Sequence, residues 1–358
     1  MLVVGGLVED EEASLSAELY GNETSIIPDL PEERYGHVTF YWRGNFVVCG
    51  GKTSDNSITK SCLLLAPSSH SWENQKVDKT RGQRVHAQVL KLSQGIFLLG
   101  SSSEEGDTDS LLTSEFLSDA SSSWQEGPYL PTAAVGGCAV TLSDHQFLVI
   151  SFFGIREFDT NVDGPSSSNG WLPTTTWPAL KEKRTHPACA SIGHAVVVAG
   201  GSKNKAPSSK TEIIDVLTRT IREGPEMQVP RARFSLITVG EGAARRVLAL
   251  GGSTSAGNTD SVEEFKPAGG EWKKKSLRMA TKRARFAATV LPQGLACVDD
   301  LPSTAHGSVQ CSSQERRVGM VCSLTCNEGQ GYRLEIPNES AVLCGWDSKW
   351  STHAKCGK

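Results

Sequence analysis

Apolar runs that end in small residues recur along the chain about every 50 residues. Six such runs occupy residues 2–6, 46–51, 96–101, 147–151, 196–201 and 247–252. Each run has the length of a short β-strand and contains no charged residue. The pattern therefore predicts repeated copies of one supersecondary unit, each built around a buried strand.

Further apolar segments flank these runs. A segment that follows a small or basic residue precedes each run from the second onward, at residues 34–38, 84–87, 136–140, 187–190 and 233–236. A segment of the form Glu-x-apolar follows most runs, at Glu18, Glu115, Glu157, Glu212 and Glu263, whereas residues 62–64 lack the glutamate. A tryptophan often comes next, as Trp72, Trp124, Trp171 and Trp272. Four strands per repeat are therefore predicted.

Composition agrees with many short strands joined by tight turns. The 358 residues include 35 glycines and 16 prolines but 4 methionines, which favours β-structure over helix. A formal net charge of −4 gives no global attraction to nucleic acid or to an anionic membrane. No stretch reaches the roughly 18 apolar residues that a membrane span needs. We expect no nucleic-acid partner and no membrane span in this chain.

The paired glycines, the Glu-x-apolar strand, the trailing tryptophan and the period together resemble Kelch repeats, whose four-stranded blades form β-propellers. The resemblance covers residues 1–295 and implies an all-β, six-bladed propeller. We expect the glycine-ended runs to be the innermost strands, where a Cβ would crowd the neighbouring backbone. Residues 285–291 remain as one extra strand, which is expected to pair with residues 2–4 and to close the ring.

Cysteines are concentrated at the end of the chain. Six of the ten lie between Cys297 and Cys356, within about 60 residues. Such density is typical of a small domain held by disulfides in an oxidising compartment. Zinc binding through Cys322 and Cys326 is the alternative, although no histidine follows at a finger-like spacing.

The tail also has an early His-Gly, a Gly-Tyr-x-Leu and a Cys-x5-Trp-x5-Cys ending. With these features, residues 296–358 resemble a sushi (complement-control) module of the six-cysteine variety found in selectins. The resemblance implies three disulfides: Cys297 with Cys344, Cys326 with Cys356, and Cys311 with Cys322. Two glycosylation sequons, at Asn22 and Asn338, agree with a secreted chain. Because residues 1–6 contain no readable signal peptide, we expect the sequence to begin inside a longer secreted protein.

The remaining four cysteines lie in predicted propeller strands. Cys49 ends one strand and Cys62 lies in the next, so the two form either a cross-strand disulfide or two buried thiols. Cys138 and Cys189 hold equivalent positions in successive repeats. They are predicted to lie well apart, as inert buried thiols.

Candidate binding residues lie in the turns that enter the glycine-ended strands, because several repeats would converge there on one face. They are Trp42, Arg43, His145, His194, Arg245 and Arg246. The basic run 273–275, with neighbouring arginines, is either a polyanion site or a solvated loop. Histidines 37, 86, 186 and 194 recur near the strands, either as metal ligands or through a shared strand position, since His37 and His86 hold nearly equivalent places in their repeats.

Three functions are compatible with these patterns. The first is an extracellular adhesion or recognition protein that binds a protein or glycan partner, with no cofactor and no metal. The second is an intracellular Kelch substrate adaptor, against which the tail cysteines argue. The third is a secreted propeller enzyme, but the chain has neither the tyrosine, cysteine and histidine set of Kelch-type copper oxidases nor a repeated Asp-box turn. We therefore expect a binding protein and not an enzyme.

Overall fold

Six antiparallel sheets surround a central channel in the computed structural model, so the predicted all-β, six-bladed propeller is confirmed. Three or four strands form each sheet, or blade. The structure describes residues 1–20, 27–66, 69, 71–74, 76–100, 111–134, 136–240, 242–290, 307–311, 321–327, 333–334, 341–343 and 356–357.

The strands are numbered in chain order. The first three blades contain β1 (Leu2–Val4) and β2 (Ala17–Leu19); β3 (Val38–Trp42), β4 (Asn45–Cys49), β5 (Cys62–Leu65) and β6 (Glu73–Asn74); and β7 (Gln88–Leu92), β8 (Gly95–Leu99), β9 (Ser114–Ser118) and β10 (Gln125–Glu126). The fourth blade contains β11 (Cys138–Thr141), β12 (Gln146–Ser151) and β13 (Gly154–Asp159).

The fifth and sixth blades each add a two-stranded ribbon to four main strands. The strands are β14 (Ala188–Ile192), β15 (Ala195–Ala199), β16 (Ser202–Lys203), β17 (Ala206–Pro207), β18 (Thr211–Asp215) and β19 (Thr220–Glu223), then β20 (Ser235–Val239), β21 (Arg246–Leu250), β22 (Ser253–Thr254), β23 (Gly257–Asn258), β24 (Ser261–Phe265) and β25 (Trp272–Arg278). Short 3₁₀ helices occupy Glu9–Glu11, Ser168–Gly170, Thr174–Thr176, Gly242–Ala244 and Pro267–Gly269.

The first blade is completed by β26 (Ala287–Thr289), which pairs antiparallel with β1. In this pairing Leu2 is opposite Thr289 and Val4 is opposite Ala287. The seam therefore joins residues that are far apart in sequence. It covers an edge of β1 that would otherwise be open to another chain.

The glycine-ended strands are not innermost, so that expectation was wrong. The strands that line the channel are β3, β7, β11, β14, β20 and β26, and the glycine-ended strand is second from the axis in each blade. A second strand is covered on both faces by the neighbouring blades, which is why its sequence is continuously apolar. Each pair of adjacent blades shares one hydrophobic cluster, and Val47, Val197 and Val247 are fully buried in these clusters.

The glycine pairs contact the next blade instead of the axis. The Gly51 N–H donates to the carbonyl of Arg84 at 2.7 Å. A Cβ on Gly50, whose φ is +69°, would lie only 2.5 Å from the same oxygen. Glycine is therefore required by this close approach between blades and by the left-handed backbone.

Buried arginine side chains pair with glutamates in four blades. Each arginine precedes the innermost strand of its blade, and each glutamate lies in the predicted Glu-x-apolar strand. The guanidinium of Arg231 lies 2.8 Å from Glu263, and that of Arg84 lies 2.8 Å from Glu115. These ion pairs hold the segments that lead into the innermost strands. The full set is Arg84–Glu115, Arg184–Glu212, Arg231–Glu263 and Arg283–Glu18.

Both disulfides within the propeller join facing positions. Cys49 and Cys62 are direct partners of β4 and β5, and they are bonded. Cys138 and Cys189 are also bonded, with 5.8 Å between their Cα atoms, so the prediction that they lie apart as free thiols was wrong. Innermost strands converge near the axis, so equivalent positions on β11 and β14 come within disulfide reach.

The bond between Cys138 and Cys189 is expected to stabilise the propeller by about 4 kcal/mol, because it closes a loop of 51 residues in the unfolded chain. The double variant C138A/C189A should lose about this amount in urea denaturation. The Cys49–Cys62 bond closes a loop of 13 residues, so the matched variant C49A/C62A should lose about 3 kcal/mol. Alkylation of Cys138 in the denatured, unreduced protein would contradict the bond.

Part of the cysteine-rich tail is described as short paired strands. They are β27 (Gly307–Cys311), β28 (Val321–Cys326), β29 (Arg333–Leu334), β30 (Ala341–Leu343) and β31 (Cys356–Gly357). Cys326 is bonded to Cys356, and the backbones of Cys311 and Cys322 are directly opposite in β27 and β28. Cys297 and Cys344 lie outside the described residues, as do Asn22 and Asn338. The predicted boundary between residues 295 and 296 stays a prediction.

Candidate functional site

The propeller presents two faces around the channel. The hairpin face carries the turns between the first and second strands of the blades, at residues 43–44, 93–94, 142–145, 193–194, 240 and 242–245. The loop face carries the connections from the second to the third strand and from each blade to the next. All six predicted binding residues lie in or beside the turns of the hairpin face, distributed over four blades.

Trp42 is not an exposed anchor, so that prediction was wrong. It is 2% exposed and packs in the core between the second and third blades. The side chains of Val38, Phe40 and Trp42 share one face of β3 because strand side chains alternate. Arg43 is exposed, but its guanidinium stacks 4.3 Å from the Trp42 ring and its Nε donates to the carbonyl of Asp119 at 2.7 Å.

The other four predicted residues differ in their surroundings. His194 and Arg245 are exposed on their turns. His145 is half-buried, with its Nδ1 3.4 Å from the amide of Gln94. Arg246 is half-buried and pairs with Glu264 at 3.1 Å. The hairpin face thus offers Arg43, His194 and Arg245 to a partner.

The basic run lies in β25, at the outer edge of the sixth blade. Lys273 pairs with Glu271 at 2.8 Å, and Arg278 pairs with Asp260 at 2.8 Å. Lys275 lies 3.5 Å from Glu264. These partners neutralise much of the run, which favours a solvated strand over a polyanion site.

At the loop face, six equivalent residues form a ring around the channel mouth. This central ring consists of Gly36, His86, Gly136, His186, Arg233 and Arg285, and the φ angle of each lies between +54° and +64°. Backbone hydrogen bonds link consecutive members: Gly36 to Arg285 at 2.8 Å, His86 to Gly36 at 2.7 Å, His186 to Gly136 at 2.5 Å, Arg233 to His186 at 3.4 Å and Arg285 to Arg233 at 3.0 Å.

Each histidine of the central ring lies beside a glycine. A Cβ on Gly36 would lie 2.7 Å from His86 Cε1, so the histidine ring occupies the space that a side chain would fill. The rings of His86 and His186 are 6.5 Å apart between centroids. Burial, followed by the charge of Arg285, lowers the pKa of His86 to about 3. Burial and then Arg233 lower the pKa of His186 to about 4.

The central ring forms the mouth of a cavity of about 240 Å³. Arg233 and Arg285 line the cavity together with both histidines and the innermost strands. His37 is buried one residue after Gly36, and burial followed by the charge of Arg34 lowers its pKa to about 3. Over the part of the chain that the structure describes, no group of three His, Cys, Asp or Glu side chains is placed to hold a metal ion.

The loop face also carries an exposed aromatic tip that sequence reasoning did not select. Phe152 and Phe153 form the turn between β12 and β13, and they are 44% and 63% exposed. The ammonium of Lys183 lies 5.3 Å from the centre of the Phe152 ring. The signal in the sequence was the very short connection between these two strands.

The tail matches a known family. The sequence model of the Sushi repeat (SCR repeat) matches residues 299–356. No curated protein matches the chain. Among the described residues, no helix is both long and apolar enough to cross a membrane. The chain therefore combines a six-bladed β-propeller with a sushi module, and both suit a role in protein interaction.

Proposed function

We propose that this chain is an extracellular recognition protein, with a Kelch-type propeller that binds a protein or glycan and a sushi module that provides a second contact or a spacer. The disulfide between Cys138 and Cys189 is the main observation that supports an extracellular location. Disulfides form and persist in oxidising compartments, and this one joins two blades of the propeller itself. The Cys49–Cys62 bond and the sushi match support the same compartment.

Kelch-type identity is supported by what the repeated residues do. The glutamate of the Glu-x-apolar strand bonds a buried arginine in four blades. The paired glycines permit close backbone contact with the next blade. The repeated residues are thus used for packing between strands and blades. The turns of the hairpin face are outside this packing, so their sequences can differ from blade to blade, as in a binding scaffold.

An intracellular Kelch adaptor is the alternative. In a reducing compartment the Cys138–Cys189 bond would be open, and the propeller would lose the stabilisation it provides. A secreted and a cytosolic form of this chain should therefore differ in free thiols and in thermal midpoint. Equal midpoints, with the propeller cysteines of the secreted form reactive toward alkylation, would favour the adaptor.

We expect the partner to contact the hairpin face, because arginine is a frequent anchor of binding energy and Arg43 and Arg245 are exposed there. The variant R43A/R245A should weaken binding of the labelled, secreted chain to an array of extracellular proteins and glycans by about tenfold or more. The control R81A/K203A removes two positive charges from the loop face and should leave binding within about twofold. Weakening by the control alone would assign the partner to the loop face.

A further inference from the structure

Four members of the central ring carry side chains in a backbone conformation that disfavours them. The φ angles are +55° for His86 and +54° for His186, Arg233 and Arg285. The other two members, Gly36 and Gly136, adopt the same conformation without a Cβ. Glycine could therefore adopt this conformation without strain at all six positions. The strain at the two histidines and two arginines thus needs a reason other than closure of the ring.

The two arginines of the central ring bring positive charge together. Arg233 and Arg285 are consecutive members of the ring, and both are half-buried. Burial and then the charge of Arg285 lower the pKa of Arg233, whereas Glu11 opposes them with a smaller effect. Within the described residues, neither guanidinium donates a hydrogen bond to a protein acceptor. Two cations with unused donors thus face one mouth.

Over the part of the chain that the structure describes, the cavity wall offers donors and polar groups and carries no acidic side chain. The residues that the structure places along its wall include Gln88 and Ser235 and contain no aspartate or glutamate. Neutral imidazoles at His86 and His186 each have one N–H to donate. The wall is therefore complementary to a ligand that carries negative charge and accepts several hydrogen bonds.

The volume and the donors together define the class of ligand. About 240 Å³ is smaller than the roughly 300–1,000 Å³ typical of pockets for drug-sized molecules. Guanidinium groups bind tetrahedral oxyanions through pairs of N–H donors. We propose that the loop-face mouth of the channel binds a small oxyanion of the sulfate or phosphate class, held by Arg233 and Arg285 and contacted by His86 and His186.

This site goes beyond the proposed function, since it lies on the opposite face from the partner surface and does not depend on the compartment. The ligand has two sources, the free inorganic ion or the sulfate or phosphate ester of a sugar. Both present the same terminal oxygens to the two arginines.

The chain itself supplies the test variant. R233G/R285G gives the two positions the residue found at Gly36 and Gly136, so it removes the charges and relieves the strain together. In sodium chloride its thermal midpoint should be a few degrees above that of the unmodified chain. In sodium sulfate of equal ionic strength, the unmodified chain should gain more than the variant, because only it has the site.

The control is R43G, since Arg43 also has a positive φ, +46°, but lies on the hairpin face. R43G should retain the full response to sulfate, including the general stabilisation that sulfate gives any protein. Calorimetric titration should show that R233Q and R285Q, which keep the backbone strain, each weaken binding by about tenfold.

Inorganic sulfate, inorganic phosphate and galactose 6-sulfate distinguish the sources. Tighter binding of galactose 6-sulfate supports an ester ligand, and tighter binding of either inorganic ion supports the free anion. A response to sulfate that is equal in the unmodified chain and in R233G/R285G would overturn the proposal. Failure of all three probes to bind the unmodified chain would overturn it too.

Discussion

Replacing Glu263 with glutamine is expected to lower the free energy of unfolding of the propeller by about 3–5 kcal/mol. The side chains of Arg231 and Glu263 are both fully buried, so the variant leaves the guanidinium charge without a counter-charge in the interior. Glu263 also accepts the backbone N–H groups of Gln228 and Val229, at 2.7 and 3.0 Å. Urea denaturation followed by tryptophan fluorescence measures the loss.

The matched control for this prediction is E126Q, because Glu126 also pairs with an arginine but at the surface. Arg81 lies 2.6 Å from Glu126, and these side chains are 53% and 80% exposed. Exposed ion pairs contribute about 0–1 kcal/mol, so E126Q should change stability little. Similar losses in E263Q and E126Q would show that the buried pair does not hold the sixth blade together.

A chain shortened to residue 282 is expected to lose at least about 10 °C in thermal midpoint relative to one shortened to residue 296. The shorter chain lacks β26, and it lacks Arg283, which donates to the carbonyls of Gly5 and Ser16 at 2.8 and 3.2 Å. Loss of this buried group alone should cost about 3–5 kcal/mol, because Glu18 would lose its partner. Differential scanning calorimetry measures the midpoints.

The chain that ends at residue 296 is the control, since both shortened chains lack the sushi module. The chain that ends at residue 282 should also form larger species in light scattering, because the edge of β1 is uncovered. Identical midpoints for the two chains would mean that β26 contributes nothing to the ring.

Periodicity predicted a repeated four-stranded unit, and the resemblance to Kelch repeats implied the propeller. A strand covered by blades on both sides must be apolar throughout, and that is a signal that one sequence displays. The order of strands from the axis was predicted wrongly, because an uninterrupted apolar run was taken as the most central strand. The channel is lined instead by segments such as Val38–Trp42, in which Thr39 interrupts the apolar residues.

The errors at specific residues have the same origin. Cys138 and Cys189 were placed apart because a repeat of 50 residues says nothing about how closely blades converge at the axis. Trp42 was assigned to an exposed turn because a difference of one residue moves a side chain from a turn to the buried face of a strand. Neither the channel radius nor the last residue of a strand can be obtained from periodicity.

The central ring could have been found by aligning the repeats more strictly. Histidines 37 and 86 were treated as nearly equivalent, but the position equivalent to His86 is Gly36. Aligned this way, the six positions carry Gly, His, Gly, His, Arg and Arg. Their shared left-handed backbone could not be predicted from residue type, because only glycine indicates that conformation and four of the six residues are not glycine.

The pairing of β1 with β26 means that the first blade is completed only late in the synthesis of the chain. Ribosomes add about 5–20 residues per second, so Ala287 follows Val4 after roughly 15–60 s. During that interval the strand Leu2–Val4 can pair with β2 on one side, but its other edge has no partner strand. The blades in between can form one after another, whereas the first blade stays incomplete until β26 has been synthesised. Nascent chains of this protein thus present a β-strand that chaperones, or a second nascent chain, can reach before the ring closes.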